Sequence, residues 1–207
     1  MTKVFIDGSA GTTGLRIADR LAGRTDLELI KLPDELRKNA DARKDALFAA
    51  DIAFLCLPDA AAVEAVALAQ GSKVKIIDTS TAHRTNDAWA YGFAELSAAH
   101  RTAIENSARV ANPGCHASGF IASVCPLVAM GVIDPNFPLT AYSLTGYSGG
   151  GKSLIAEYED PNRDPRHESH RIYGTTLQHK HLPEMQKLCG LKYQPVFSPI
   201  LGDFYAG

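Results

Sequence analysis

The chain has 207 residues, with 21 Lys and Arg against 23 Asp and Glu, a formal net charge of -2 and a hydrophobic fraction of 45%. That balance excludes a protein held on nucleic acid by general phosphate attraction, and the apolar content suffices for one large core or two modest ones. No apolar run approaches the ~20 residues that cross a bilayer, and MTKVFIDGSAGTTG opens with a short strand where a secretory leader needs a long apolar region, so no membrane partner and a cytoplasmic location are expected.

Short apolar runs then alternate with helical ones, the pattern of a parallel sheet with crossover helices. Strands are predicted at 3–7, 27–32, 51–57, 74–78 and 109–112. Helices are predicted at 15–22, 34–48, 60–70 and 115–130. This is an α/β, doubly wound, Rossmann-type domain over residues 1–132. After Gly131 the texture changes, and residues 133–207 read as a partial α+β catalytic domain. It has a strand in LTAYSLTGY, a glycine loop in SGGGK, a polar loop or mobile excursion at 159–171, a short helix after Pro183 and a strand within 193–207. The four cysteines show no CxxC spacing, so neither a disulfide framework nor a metal centre is expected.

The first chemical motif is Gly8-Ser9-Ala10-Gly11-Thr12-Thr13-Gly14, between the first strand and first helix. Glycines there let the backbone turn sharply and approach a pyrophosphate, whose charge meets exposed amides at the helix start. The spacing is GxxGxxG where the usual dinucleotide fingerprint is GxGxxG, and a tight turn with no ligand is the alternative. Lys31, Asp34, Arg37 and Lys38 follow the second strand. Their basic charge favours a 2'-phosphate, hence NADP over NAD, although the same charges suit a solvated helix face.

Cys115 follows Asn112-Pro113-Gly114 and opens an apolar helix, where amides and helix dipole favour a thiolate. Cys56, Cys125 and Cys189 have no such context and read as small buried hydrophobes. In Gln178-His179-Lys180-His181-Leu182-Pro183-Glu184, either histidine suits acid/base work and Glu184 is placed to orient an imidazole. Two histidines without further ligands make a weak metal site. Gly146 to Ser153 formally matches the GxxxxGK[ST] phosphate loop. A triphosphatase needs a following helix and a later strand-end aspartate in a parallel sheet, whereas here Asp160-Pro161 follows closely and the parallel sheet lies upstream. An anion-binding loop using Lys152 stays open.

These motifs, with CLPD, DTSTAHR, YGFAEL and FSPILGDFYAG, resemble the N-acetyl-gamma-glutamyl-phosphate reductase family in its shorter form, along the whole chain. The resemblance implies NADPH-dependent reduction of an acyl phosphate to an aldehyde with release of phosphate, in arginine biosynthesis. It also implies kinship with aspartate-semialdehyde and glyceraldehyde-phosphate dehydrogenases. It makes Cys115 the nucleophile and His179 the acid/base, and places His181, Glu184 and Tyr173 in the active site. Ser80, His83 and Arg84 are expected to touch cofactor or substrate. Asn112, Ser148, Gly149 and Lys152 are expected around the substrate and its phosphate. Family members continue beyond FYAG, so an incomplete second domain is expected here, with a homo-oligomer for the longer form. The alternatives are an aspartate-semialdehyde dehydrogenase-like enzyme, a non-catalytic NADP-binding module and the triphosphatase.

Overall fold

The computed structural model describes residues 1–9 and 11–206; Ala10, in the predicted glycine loop, and Gly207, at the end of the last predicted strand, lie outside the described residues. The chain forms two compact units, which divide between Pro113 and Gly114.

The first unit runs β1 (Thr2–Asp7), α1 (Thr12–Leu21), β2 (Leu27–Ile30), α2 (Ala40–Ala49), β3 (Ile52–Leu55), α3 (Asp59–Leu68), β4 (Lys75–Asp78), β5 (Ala90–Tyr91), α4 (Ala98–Asn106) and β6 (Arg109–Ala111). All six strands are parallel, in the order β2-β1-β3-β4-β6-β5. Crossover helices cover such strands, which is why β3 and β4 read as unbroken apolar runs. One cluster, including Phe5, Leu47, Leu55, Ala62, Ala65 and Ile76, fills the space between β-sheet and helices. The small alanines of α3 suit its close packing with α2.

The helix predicted over 34–48 is split. A 3-10 turn at Asp34–Leu36 precedes α2, and the Asn39 side chain caps α2 by accepting the Ala42 N–H at 2.9 Å. β5 and α4 were not anticipated. β5 is two residues long, and the Ser97 hydroxyl that caps α4 was the available signal.

The second unit runs α5 (Cys115–Ala129), β7 (Thr140–Gly146), α6 (Gly151–Glu159), β8 (Arg171–Ile172), α7 (Leu182–Cys189) and β9 (Val196–Gly202). Its sheet has the order β7-β9-β8, with β7 parallel and β8 antiparallel to β9. Phe197, Pro199 and Leu201 point to the buried face, while Tyr142, Leu144, Ile172 and Val196 leave the other face apolar and exposed. The boundary expected near Ile133 therefore moves to Pro113, because α5 packs on α7 and β7 and belongs with them.

The 159–171 segment, expected as a loose excursion, is tied down. His167 is buried and stacks on Tyr158 at 4.5 Å, Tyr147 stacks on Tyr158 at 4.8 Å, and Arg163 grips Asp203 with two hydrogen bonds. Among the described residues no helix is long and apolar enough to cross a membrane, and no group of three or more His, Cys, Asp or Glu is arranged to hold a metal.

The order β2-β1-β3 makes the carboxyl ends of β1 and β3 the switch point of the large sheet, where such folds place their ligand crevice. Gly8 leaves β1 there at φ 86, and a Cβ on it would stand 2.2 Å from the Cys56 carbonyl oxygen. Replacing Gly8 by Ala is expected to destabilise the first unit by about 2 kcal/mol or more, read as a lower urea midpoint at unchanged slope.

Candidate active site

Cys115 is exposed at the first position of α5, directly after the cap residue Gly114. That position is fixed by a buried carboxylate. The Gly114 N–H donates to Glu184 Oε2 at 3.2 Å, and Glu184, in the first turn of α7, is 1% exposed. Its other oxygen lies 4.0 Å from His181 Nε2. Glu184 thus lies beside one imidazole at more than hydrogen-bond distance, while its hydrogen bond to Gly114 sets the start of the cysteine's helix.

Three histidine rings gather in this unit. His179 and His181 lie 4.7 Å apart between centroids, and His116 lies 5.7 and 5.9 Å from them. Phe197 packs edge-on against His116 and His179. The turn that delivers His179 carries Leu177 at φ 57, a left-handed conformation that costs a leucine about 1 kcal/mol or more. The Nδ1 of His179 accepts the His181 backbone N–H at 3.2 Å. The proton of the neutral ring therefore sits on Nε2, which makes His179 a donor. Burial, and then Lys180, lower its pKa, so the neutral form persists at neutral pH.

His116, next to Cys115 in the chain, carries no local signal of its own in the sequence. One position further round the helix its ring turns inward. It is 6% exposed, and its two nitrogens meet Ser143 Oγ at 2.6 Å and the Tyr173 phenol at 2.7 Å. Tyr173 is pushed up to about 12 by burial and then by the charge of Cys115. Cys56 and Cys189, expected to be inert, are pushed up by burial to about 11 and about 12.

In the first unit the glycine turn is built partly for itself. A Cβ on Gly14 would stand 2.4 Å from the Gly8 oxygen, and the Gly11 N–H donates to that same oxygen at 2.9 Å. α1 then opens through Thr12 and Thr13 with no side-chain cap and no acid in its first turn, leaving its positive end uncompensated by the helix. Ser9 lies in the turn between β1 and α1. Arg37 pairs with Asp34 at 2.5 Å. Ser80 is buried with its hydroxyl on Asp78 Oδ2 at 2.6 Å, and His83 meets the same oxygen at 2.7 Å while stacking on Trp89. Arg84 donates to the carbonyls of Asn112 and Thr79, so it braces the residues that precede Cys115 in the chain. The Asn112 side chain donates to the Pro113 carbonyl.

The second glycine loop does lie between a strand and a helix, but the three amides at its start are taken. The N–H groups of Gly146, Tyr147 and Ser148 donate to the carbonyls of Ala206, Phe204 and Tyr205. Ser148 is buried, whereas Gly149 and Lys152 are exposed. Asp203, the acid following β9, is held by Arg163.

Two family models match the chain: the semialdehyde dehydrogenase NAD binding domain over residues 3–104 and the semialdehyde dehydrogenase dimerisation domain over 115–207. The chain is 51% identical to proteins named N-acetyl-gamma-glutamyl-phosphate reductase from Sinorhizobium medicae and Brucella ovis, with 99% of this chain and 67% of each relative covered. Among solved structures it is similar to a probable aspartate-semialdehyde dehydrogenase from Pseudomonas aeruginosa, with TM-score 0.68 and 14% identity over 99% of this chain and 71% of that one. It is also similar to aspartate semialdehyde dehydrogenase with NADP from Candida albicans, with TM-score 0.63 and 12% identity over 99% and 68%. At those identities the structures establish the fold alone.

The buried His116 has an acid cost. Its pKa falls from 6.5 to about 4 on folding, because burial and then His179 oppose its charge. The unfolded chain therefore binds more protons in that window, and stability drops as pH falls from 6.5 toward 4. Urea midpoints measured across pH 7 to 4 are expected to fall less steeply for His116→Gln than for the parent.

Proposed function

The chain belongs to the N-acetyl-gamma-glutamyl-phosphate reductase family, and from that premise we propose that it reduces N-acetyl-gamma-glutamyl phosphate to the semialdehyde, with NADPH as reductant and phosphate as leaving group, in arginine biosynthesis. The observation that carries the reading is the exposed Cys115 at a helix start that Glu184 fixes, in the same unit as the His179 donor.

The glycine turn fits a dinucleotide pyrophosphate. It lies at the switch point, Gly8 and Gly14 leave no room for side chains, and α1 offers uncapped amides with no competing acid. Gly8, Ser9, Gly11, Thr12, Thr13 and Gly14 would hold that group, with Arg37 exchanging its Asp34 partner for a 2'-phosphate. Ser80 and Arg84 act from behind, shaping the loop that follows β4. When bound, the cofactor supplies the hydride.

Cys115 loses its proton to solvent, and its sulfur attacks the acyl carbon. The carbon–oxygen bond to phosphate breaks, inorganic phosphate leaves, and a thioester remains on Cys115. After reduction, the tetrahedral oxyanion collapses to the aldehyde as the carbon–sulfur bond breaks and sulfur leaves as thiolate. The Nε2–H of His179 donates to the oxygen that carries charge in both tetrahedral states. This replaces the expected proton-shuttling role, because Nδ1 is occupied as an acceptor and the ring has no free basic nitrogen. His181 faces Glu184 at 4.0 Å and its backbone N–H orients His179, while Gly149 and Lys152 are exposed and available to the substrate phosphate.

The apolar outer face of the β7-β9-β8 sheet supports assembly of two copies, in keeping with the dimerisation model that matches this unit. An aspartate-semialdehyde dehydrogenase reading is less well supported, since those relatives share the fold at 12–14% identity.

The reverse assay, phosphate-dependent NADP reduction with each semialdehyde, tests the assignment. N-acetylglutamate semialdehyde is expected to be the better substrate by kcat/KM, and a preference for aspartate semialdehyde overturns the reading. Cys115→Ala is expected to abolish turnover while leaving NADPH binding by calorimetry intact. His179→Asn is expected to lower kcat by about 10²-fold.

A further inference from the structure

Cys115 sits between two anchored neighbours. Before it, Gly114 is held by both of its backbone groups. Its N–H donates to Glu184 Oε2 at 3.2 Å, and its carbonyl accepts the Ser118 N–H and the Ser118 hydroxyl, each at 2.8 Å. After it, the buried His116 ring has Nδ1 at 2.6 Å from Ser143 Oγ and Nε2 at 2.7 Å from Tyr173 Oη. The first anchor ties the start of α5 to α7, and the second ties it to the small sheet.

The two residues that grip His116 meet at one position of the central strand. Ser143 of β7 is in register with Pro199 of β9, and Tyr173, just after β8, donates its N–H to the Pro199 carbonyl at 3.0 Å. Phe197, two residues earlier on the same buried face of β9, packs edge-on against His116 at 5.2 Å and against His179 at 5.1 Å. The His116 ring also meets the rings of His179 at 5.7 Å and His181 at 5.9 Å. One residue thus adjoins Cys115 through the chain and both imidazoles through its ring. Each of its nitrogens can donate to or accept from a hydroxyl, so this placement holds in either tautomer.

We propose that His116 is a positioning residue: held at both ends by the Ser143 and Tyr173 hydroxyls, it tethers the first turn of α5 to the sheet and so sets the Cys115 sulfur relative to His179. It touches no reacting atom and moves no proton. The oxyanion that His179 meets rests on the proposed function; the tether does not.

Two thiol reagents, used on the 207-residue chain without cofactor, separate the position of the sulfur from its reactivity. With iodoacetamide the sulfur–carbon bond forms as iodide leaves, and no oxyanion develops. With p-nitrophenyl acetate the sulfur adds to the carbonyl carbon, an oxyanion forms, and p-nitrophenolate leaves with the acetyl group on Cys115. Cys115→Ala supplies the background for both. The readout is the ratio of the acetylation to the alkylation rate constant at pH 7. A change in thiolate fraction or access moves both rates together, whereas a displaced sulfur slows acetylation alone. His116→Phe keeps a ring and loses both hydrogen bonds, and is expected to lower the ratio about tenfold. Ser143→Ala and Tyr173→Phe each remove one hydroxyl, keep the test open if His116→Phe misfolds, and are expected to lower the ratio about threefold. Ser143→Ala added to His116→Phe is expected to cost nothing further. His179→Asn is expected to lower the same ratio. An unchanged ratio in His116→Phe, in both hydroxyl variants or in His179→Asn, or a parallel fall in the two rates, overturns the positioning role. If the parent reduces no acyl phosphate while the ratio still depends on His116, the reductase reading fails and the tether stands.

Discussion

The second unit depends on one buried carboxylate. Glu184 is 1% exposed and accepts the N–H of Gly114, while its other oxygen faces His181. A carboxylate this deep is costly unless its oxygens are engaged, so the packing of α7 against α5 and the position of the first residue of α5 are coupled. Cys115 can be exposed and still be fixed, because the restraint acts on the backbone of its neighbour and leaves the sulfur open. The same short helix brings His181 and the turn containing His179, so Cys115 and the imidazoles are tied to one element.

The first unit is organised by a related device. Asp7, at the end of β1, is buried with Arg43 of α2, whose guanidinium reaches it at 3.0 Å and extends to Glu64 of α3 at 3.4 Å. Burial raises the pKa of Asp7 even with that partner present. The pair links β1 to two crossover helices one residue before the glycine turn, at the place where the backbone must pass within contact of the Cys56 carbonyl. Asp78 does similar work at the end of β4, accepting from Ser80 and meeting His83. Several polar residues that read as ligand contacts thus also make hydrogen bonds within the scaffold beneath the loops.

The parallel sheet and its crossover helices were legible because strands buried on both faces read as short, unbroken apolar runs. Cys115 was legible because Asn-Pro-Gly followed by an apolar helix is a local signal. Local signals failed in three places. The boundary falls at Pro113 and not near Ile133, since the partners of α5, namely α7 and β7, are distant in sequence. The 159–171 segment read as loose because the ring stack of Tyr147, Tyr158 and His167 joins residues twenty apart. The place of His116 is not legible locally because its partners, Ser143 on β7 and Tyr173 just after β8, are distant in sequence and no periodicity in the His116 helix reveals them.

The sequence by itself determined the class of the first unit, the turn between β1 and α1, the candidate nucleophile and the pair of histidines, because each depends on residues within a few positions of one another. Only the tertiary structure decided which histidine carries its proton where, which carboxylate holds the cysteine, and which loop amides are already occupied. Those outcomes depend on hydrogen bonds and burial between residues up to seventy positions apart, and a proton's location follows from the group it faces.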